Sequence, residues 1–217
     1  MKILSQTISW VFMPLFMPIY ALLLVMYVPA QEELFYGLDC PDCVYLLDFQ
    51  IKKALFYMFG IFCVIAPGFS FMLLKRSGVI NTLEMETRAE RTVPIIIMFI
   101  YCLGLFLLMS YTAKGSNLPK FVYSLPLSGA VVTGLFIALN QWKKISIHAA
   151  SAGIFTGFIL AYLAVNMKFG IGMLLVSILL SGIVMSARLN LQKHTLLELT
   201  VGWFSATLFT FAVNYFY

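Results

Sequence analysis

The two histidines of the chain, His148 and His194, are the residues whose types and surroundings best suit chemistry. Arg188 lies six residues before His194, and Glu198 lies four residues after it. An imidazole can act as a nucleophile or as an acid–base catalyst, a guanidinium binds anions, and a carboxylate can orient an imidazole. These residues therefore predict a site that binds an anion and transfers a proton or a group.

The elements that must position these residues are transmembrane helices. Hydrophobic residues make up 62% of the 217-residue chain and charged residues only 11%, which leaves too little polar surface for a protein folded in water. A helix needs about 20 apolar residues to cross about 30 Å of hydrocarbon. We therefore predict a single integral-membrane domain, residues 1–217, that forms an all-α bundle of six to seven transmembrane helices.

Seven runs that contain no Asp, Glu, Lys or Arg are the candidate spans. Pro and Gly inside them are compatible with bends or breaks of membrane helices. The first run also resembles a secretory signal, because Lys2 precedes its apolar stretch and the small Ala30 ends it, but its greater length favours a span. The runs are residues 3–31, 54–74, 92–113, 121–142, 145–167, 169–187 and 199–217.

If all seven runs cross, both histidines fall at the same membrane face. This face carries nine Lys and Arg residues and the opposite face carries five, so the positive-inside rule would place the histidines in the cytoplasm. The excess depends on three arginines that are themselves candidates for the site, Arg88, Arg91 and Arg188. Without them the counts are six and five, and the side of the membrane stays open.

Residues 186–198 resemble the third motif of the type 2 phosphatidic acid phosphatase family, which belongs to the superfamily of vanadium-dependent haloperoxidases. The family motif reads Ser-Arg, five residues, His, three residues, Asp. The chain has Ser186, an inserted Ala187, then Arg188, His194 and, in place of Asp, Glu198.

Two further segments resemble the other family motifs. Residues 145–148 are similar to the second motif, Pro-Ser-Gly-His, and keep Ser146 and His148. The first motif reads Lys, six residues, Arg-Pro, and its end resembles the segment from Arg91, although Glu84 occupies the position of the lysine.

The resemblance implies a metal-independent lipid phosphatase that needs no cofactor. His194 would attack phosphorus and form a phosphohistidine, Glu198 would orient its imidazole, and His148 would protonate the leaving oxygen. Phosphoryl transfer without a metal needs a nucleophile, a proton donor and fixed positive charge, and this chain holds one candidate set. The groups that would bind the phosphoryl oxygens are Arg91, Arg188 and Ser146.

Arg88 is the predicted substitute for the missing lysine. It lies three residues before Arg91, so the two would share one face of a helix. Two guanidiniums that repel each other would become favourable neighbours when a doubly charged phosphate binds between them. The alternative is that Arg88 only anchors its helix to lipid headgroups.

Each of the other candidates also has a structural interpretation. Glu198 follows Thr195 by three residues and could cap the start of a helix. His148 could be a polar residue at a helix entrance, and Arg91 could bind headgroups at the membrane surface. Their shared membrane face favours a common site.

The substrate class implied by the resemblance is a lipid phosphate or diphosphate whose headgroup is held at the bilayer surface. Phosphatidic acid, phosphatidylglycerol phosphate, a polyprenyl diphosphate and a phosphorylated lipid A all fit it. We expect a multi-pass protein of a bacterial inner membrane that has the phosphorylated lipid and the bilayer as partners and binds no nucleic acid. The sequence leaves the oligomeric state open.

Two other functional classes remain open. The altered first and second motifs, with Glu84 and Ile147 at positions of lysine and glycine, are compatible with an inactive relative that acts as a membrane scaffold or binds lipid phosphates. A transporter fits less well, because such proteins usually carry ionisable residues inside the membrane, and only His148 lies within a run, at its end.

Cys40 and Cys43 form a Cys-x-x-Cys pair between the first two runs. Such a pair can be a redox motif, half of a zinc site or a local disulfide. A second pair of zinc ligands is missing, because Cys63 and Cys102 fall inside apolar runs, where cysteine behaves as a small hydrophobic residue. We expect a structural turn, with a disulfide if the loop is extracytoplasmic.

Overall fold

The computed structural model describes residues 2–28, 42–85, 87–112, 118–166 and 170–217. Within these residues the regular elements are all helical, which confirms the predicted all-α membrane bundle. Two short helices, α1 (Lys2–Val11) and α2 (Met17–Tyr27), come first. Six helices long and apolar enough to cross a membrane follow: α3 (Phe49–Arg76), α4 (Arg88–Thr112), α5 (Lys120–Leu139), α6 (Ile147–Val165), α7 (Ile171–Asn190) and α8 (Leu196–Phe216).

The first predicted span, residues 3–31, is divided into α1 and α2. Pro14 lies in the turn between them, where its missing N–H and fixed φ interrupt the helical hydrogen bonds. The 11 residues of α2 extend about 16 Å, roughly half of the hydrocarbon thickness. The described residues therefore contain six long spans, the lower end of the predicted six to seven.

α3 is continuous but not uniform. A π-helical turn, Gly60–Ile65, joins its two α-helical segments, Phe49–Phe59 and Ala66–Arg76. Such a turn holds about one residue more than a turn of α-helix. The side chains after it therefore face a different direction from the one they would have in an uninterrupted α-helix of the same length. In the second segment, Phe71 packs against Leu15 and Met85.

α6 lies at the centre of the bundle and makes its most extensive contact with α8. Gly153 and Gly157 allow this close approach, because a Cβ atom at either position would overlap a carbonyl oxygen of α8, from Trp203 or Thr207. The Thr207 hydroxyl also donates a hydrogen bond to the carbonyl of Gly153, at 3.2 Å. The first turns of α6 and α8 are thereby held side by side.

The bundle has two ends of different character. The histidine end, as we call it, consists of loops 77–85, 140–146 and 191–195 and carries both histidines. α1 lies there too, because the Asn190 side chain at the end of α7 donates to the Ser5 hydroxyl at 2.8 Å.

At the opposite end, Tyr27 at the end of α2 lies near Lys52 of α3, whose ammonium group is 5.5 Å from the ring centroid. Cys43, also at this end, is disulfide-bonded. Cys40 lies outside the described residues, so the state of the predicted Cys-x-x-Cys pair is described only for Cys43.

Candidate active site

The first turn of α6 carries His148. Ser146 is the N-cap of this helix, and its buried hydroxyl accepts a hydrogen bond from the backbone N–H of Ala149 at 3.4 Å. The imidazole of His148 lies close to the backbone carbonyl of Ser9 in α1. The predicted phosphate-binding residue Ser146 thus has a structural role, and it places His148 at the positive end of the α6 dipole.

The start of α8 is a capping box in which Glu198 has two functions. The backbone N–H of Glu198 donates to the Thr195 hydroxyl, and the N–H of Thr195 donates to the Glu198 carboxylate, both at 3.3 Å. The same carboxylate oxygen, Oε2, lies 2.8 Å from Nδ1 of His194. Glu198 therefore caps the helix and also orients the imidazole of His194. The structural and the functional interpretation of this residue are compatible.

The environment of His194 favours its neutral form. The residue is only 8% exposed. Burial lowers the pKa of His194 to about 4, and the positive charges of Arg91, Lys144 and Arg188 act in the same direction, whereas the hydrogen bond that His194 donates to Glu198 opposes them. With a proton on Nδ1 facing the carboxylate, Nε2 carries the lone pair that a nucleophile needs.

Arg91 is buried in the first turns of α4, with 3% of its surface exposed. Its Nε donates to the carbonyl of Met85 at 2.7 Å, and its Nη1 donates to the carbonyl of Ile145 at 2.6 Å. These bonds join the loops that precede α4 and α6. A guanidinium has five N–H donors, so Arg91 retains donors beyond these two bonds.

Arg188 lies in the last turns of α7 and is 2% exposed. Its Nε is buried and has no hydrogen-bond partner among the described residues. The guanidinium is close enough to influence the charges of both His148 and His194 electrostatically, and Glu84 is close enough to influence Arg188. Of the candidate groups, Arg188 is the buried cation whose donors are least satisfied.

The side chains that the sequence predicted to converge do lie together at the histidine end. Arg91 interacts electrostatically with Arg188, and both interact with His148 and His194. They come from four helices or their adjoining loops, α4, α6, α7 and the start of α8, so the site depends on the packing of the whole bundle.

Arg88 is not brought into this cluster. Its Nη1 donates to the carbonyls of Gln141 and Trp142, at 3.0 and 3.3 Å. The side chain of Asn140 in turn donates to the carbonyl of Arg88 at 3.0 Å. Arg88 therefore joins the start of α4 to the end of α5, and its proposed contact with phosphate stays a prediction.

Two lysines at the rim of the site, Lys144 and Lys193, had no role predicted from the sequence. Lys193 forms an ion pair with Glu84 at 3.0 Å, and Lys144 donates to the carbonyl of Lys193 at 3.2 Å. Lys193 directly precedes His194 in the sequence, and this position could have indicated that it lies at the site. A groove of about 340 Å³ opens here, lined by Lys144, Leu189, Gln192, Lys193, His194, Thr195 and Glu198.

Metal-ligating side chains do not cluster in the part of the chain that the structure describes: no group of three or more His, Cys, Asp or Glu residues is suitably placed. Cys63 and Cys102 are buried free thiols within α3 and α4, as their apolar surroundings predicted.

No family model, no curated protein and no solved structure matches the chain. The resemblance to the phosphatase motifs therefore depends on the three sequence segments themselves, residues 84–94, 145–148 and 186–198. The geometry adds that the polar residues of these segments adjoin one another at one end of a membrane bundle.

Proposed function

We propose that this protein is a metal-independent membrane lipid phosphatase that hydrolyses a lipid phosphate or diphosphate through a phosphohistidine intermediate. The observation that carries the proposal is the buried guanidinium of Arg188, with an unpartnered Nε, next to two histidines. A buried cation is costly unless an anion pairs with it. A phosphoryl group would supply both the negative charge and the acceptor oxygens.

The first chemical step would transfer the phosphoryl group to His194. Nε2 attacks phosphorus, a P–N bond forms, and the P–O bond to the leaving group breaks. The negative charge of the bound phosphoryl group would stabilise the protonated form of His148, which gives its proton to the leaving oxygen. The Glu198 carboxylate stabilises the positive charge that develops on the His194 ring.

The second step would release inorganic phosphate. A water molecule attacks the phosphohistidine, the neutral His148 accepts a proton from that water, and the P–N bond breaks. His194 returns to its starting state, and no electron donor or acceptor is needed. Arg91 and Arg188 would hold the equatorial oxygens in both steps.

The position of the cluster supports a lipid substrate. α6 and α8 both begin at the site, so the positive ends of two helix dipoles point towards the proposed phosphoryl group. Since the histidines lie at the ends of apolar spans, a headgroup could bind there while its chains remain in hydrocarbon.

A lipid-phosphate-binding protein without turnover is the alternative. Glu84 favours it, because this carboxylate lies near Arg188 and would repel a phosphate dianion at the position where the related motif has a lysine. Its ion pair with Lys193 reduces that repulsion but involves two partly exposed side chains, so the compensation is small.

The test is phosphate release by purified protein in the presence of a metal chelator. The substrates are phosphatidic acid, phosphatidylglycerol phosphate, a polyprenyl diphosphate and a phosphorylated lipid A. We expect turnover of at least one lipid and inhibition by vanadate, which mimics the pentacoordinate transition state. His194→Ala should abolish turnover, whereas Lys75→Ala, which changes an exposed charge outside the cluster, should not.

Three results separate the alternatives. Full activity of His194→Ala, or strict dependence on a divalent cation, would contradict the phosphohistidine mechanism. Binding of lipid phosphates without turnover of any of them would support the non-catalytic protein.

A further inference from the structure

α1 directs its serines inward and its apolar side chains outward. Ser5 and Ser9, one helical turn apart, are only 7% and 6% exposed. Ile3, Leu4 and Trp10 are 83%, 65% and 54% exposed. In water this pattern would be inverted, so the outer face of α1 suits lipid and its inner face suits a polar site.

The inner face of α1 packs against α7, which carries Arg188, and lies close to His148 of α6. The Ser5 hydroxyl accepts a hydrogen bond from Asn190, two residues beyond Arg188 in α7. The backbone carbonyl of Ser9 lies close to the His148 ring of α6. α1 therefore covers the cluster on the side of these two residues.

The hydroxyl of Ser9 itself is buried and has no partner among the described residues. The buried Nε of Arg188 also has no hydrogen-bond partner among the described residues. Leaving a buried donor unsatisfied is unfavourable, and these two donors lie on helices, α1 and α7, that pack against each other beside His148. A phosphoryl group, with several strong acceptor oxygens, could satisfy both.

We propose that Ser9 is a further substrate-binding residue, whose hydroxyl donates a hydrogen bond to a phosphoryl oxygen held beside Arg188 and His148. The inference rests on the proposed function only for the presence of a phosphoryl group at this cluster. Ser9 would thus add a group from α1 to a site otherwise built from residues 84–198. None of the three sequence motifs includes this residue.

Ser9→Ala is the decisive variant, because it removes the hydroxyl and keeps the backbone carbonyl that contacts His148. Ser9→Thr retains a hydroxyl and should rescue much of the effect. Thr7→Ala is the matched control, since Thr7 lies on the same helix, is exposed and donates to the Ile3 carbonyl. The measurement is titration calorimetry of each purified protein with inorganic phosphate.

We expect Ser9→Ala to weaken phosphate binding about ten- to hundredfold, the effect of losing one hydrogen bond to a charged group, and Thr7→Ala to leave it unchanged. With a lipid substrate, KM should rise more than kcat falls. The thermal unfolding midpoint of Ser9→Ala should stay the same or rise, because the lost hydroxyl has no partner in the protein. A purely structural serine would instead lower the midpoint and leave the binding of phosphate to the folded protein unchanged.

Equal phosphate affinity of Ser9→Ala and the unchanged protein would overturn this inference, and so would the absence of any phosphate binding. Weaker binding by Ser9→Ala in a protein that turns over no lipid would uphold the inference and contradict the phosphatase.

Discussion

The two buried arginines differ in what they contribute to folding. Arg91 holds two loops through the carbonyls of Met85 and Ile145, whereas Arg188 has an unsatisfied Nε. We predict that Arg91→Met lowers the free energy of unfolding by about 1–3 kcal/mol, because two buried carbonyls lose their donors. Arg188→Met should raise it or leave it unchanged, since a buried cation with an incomplete set of hydrogen bonds is removed.

Thermal unfolding without phosphate tests the contrast between these variants, and a phosphate titration of each completes it. Both variants should bind phosphate more weakly than the unchanged protein. A large loss of stability in Arg188→Met would show that this guanidinium supports the fold and not an anion.

The protonation of His194 sets a second expectation for single residues. Its pKa is lowered to about 4, chiefly by burial, so the neutral nucleophile persists as the pH falls from 7 and is lost only near pH 4. The acid limb of kcat/KM that belongs to His194 should therefore lie near pH 4 and not near 6.5.

Glu198→Gln tests the direction in which the carboxylate shifts the pKa of His194. The carboxylate raises the pKa of His194, so its removal should move this limb to still lower pH while it reduces the maximal rate. The pH dependence of phosphate release by both proteins is the measurement. A shift of the limb to higher pH in Glu198→Gln would contradict the arrangement.

At the scale of helices, the contact of α6 with α8 determines the distance between the two histidines. We predict that Gly153→Ala or Gly157→Ala forces the helices apart, because the added Cβ atoms overlap carbonyl oxygens of α8. The cost should be about 1–3 kcal/mol of unfolding free energy. Turnover should fall more than phosphate binding, since His148 moves relative to His194 while the arginines lie on α4 and α7.

Gly182→Ala in α7 is the control, because a Cβ there has no atom within 4 Å. Helix propensity alone should stabilise this variant by about 0.5–1 kcal/mol. Equal effects of the substitutions at Gly153 and Gly182, on both stability and turnover, would show that close helix contact does not position the histidines.

At the scale of the whole molecule, the disulfide of Cys43 predicts how the protein is oriented in the membrane. Disulfides form outside the cytoplasm, and Cys43 lies at the end of the bundle opposite to the histidines. The histidine end should then face the cytoplasm.

Labelling of intact cells with a membrane-impermeant maleimide can test this orientation. Gln50→Cys, exposed at the opposite end, should be labelled, and Lys143→Cys, exposed at the histidine end, should react only after lysis. Both variants need a cysteine-free background at positions 63 and 102. The reverse pattern would place the site outside the cytoplasm.

The sequence predicts the fold because apolar composition and the spacing of charges follow directly from the lipid environment. Counting spans places His148 and His194 at one end, and the motif spacing predicts the contact of Glu198 with His194. Ser9 escaped prediction, because its contact with His148 joins residues far apart in the chain and arises from the packing of α1. Arg88 escaped for a similar reason, since its acceptors are backbone carbonyls, which the identities of the neighbouring residues do not reveal.

The π-helical turn of α3 has a consequence for how the chain tolerates insertions and deletions. A π-helical turn holds about one residue more than a turn of α-helix, so deletion of one residue within Gly60–Ile65 would convert it to α-helix and leave the following side chains in nearly the same direction. Deletion of one residue from the preceding α-helical segment, Phe49–Phe59, would instead rotate them by about 100°. Phe71 would stay against Met85, whose carbonyl is an acceptor for Arg91, after the first deletion and would turn away from it after the second. α3 carries no proposed catalytic group, but its rotation about its axis affects the anion-binding end through the single aromatic side chain of Phe71.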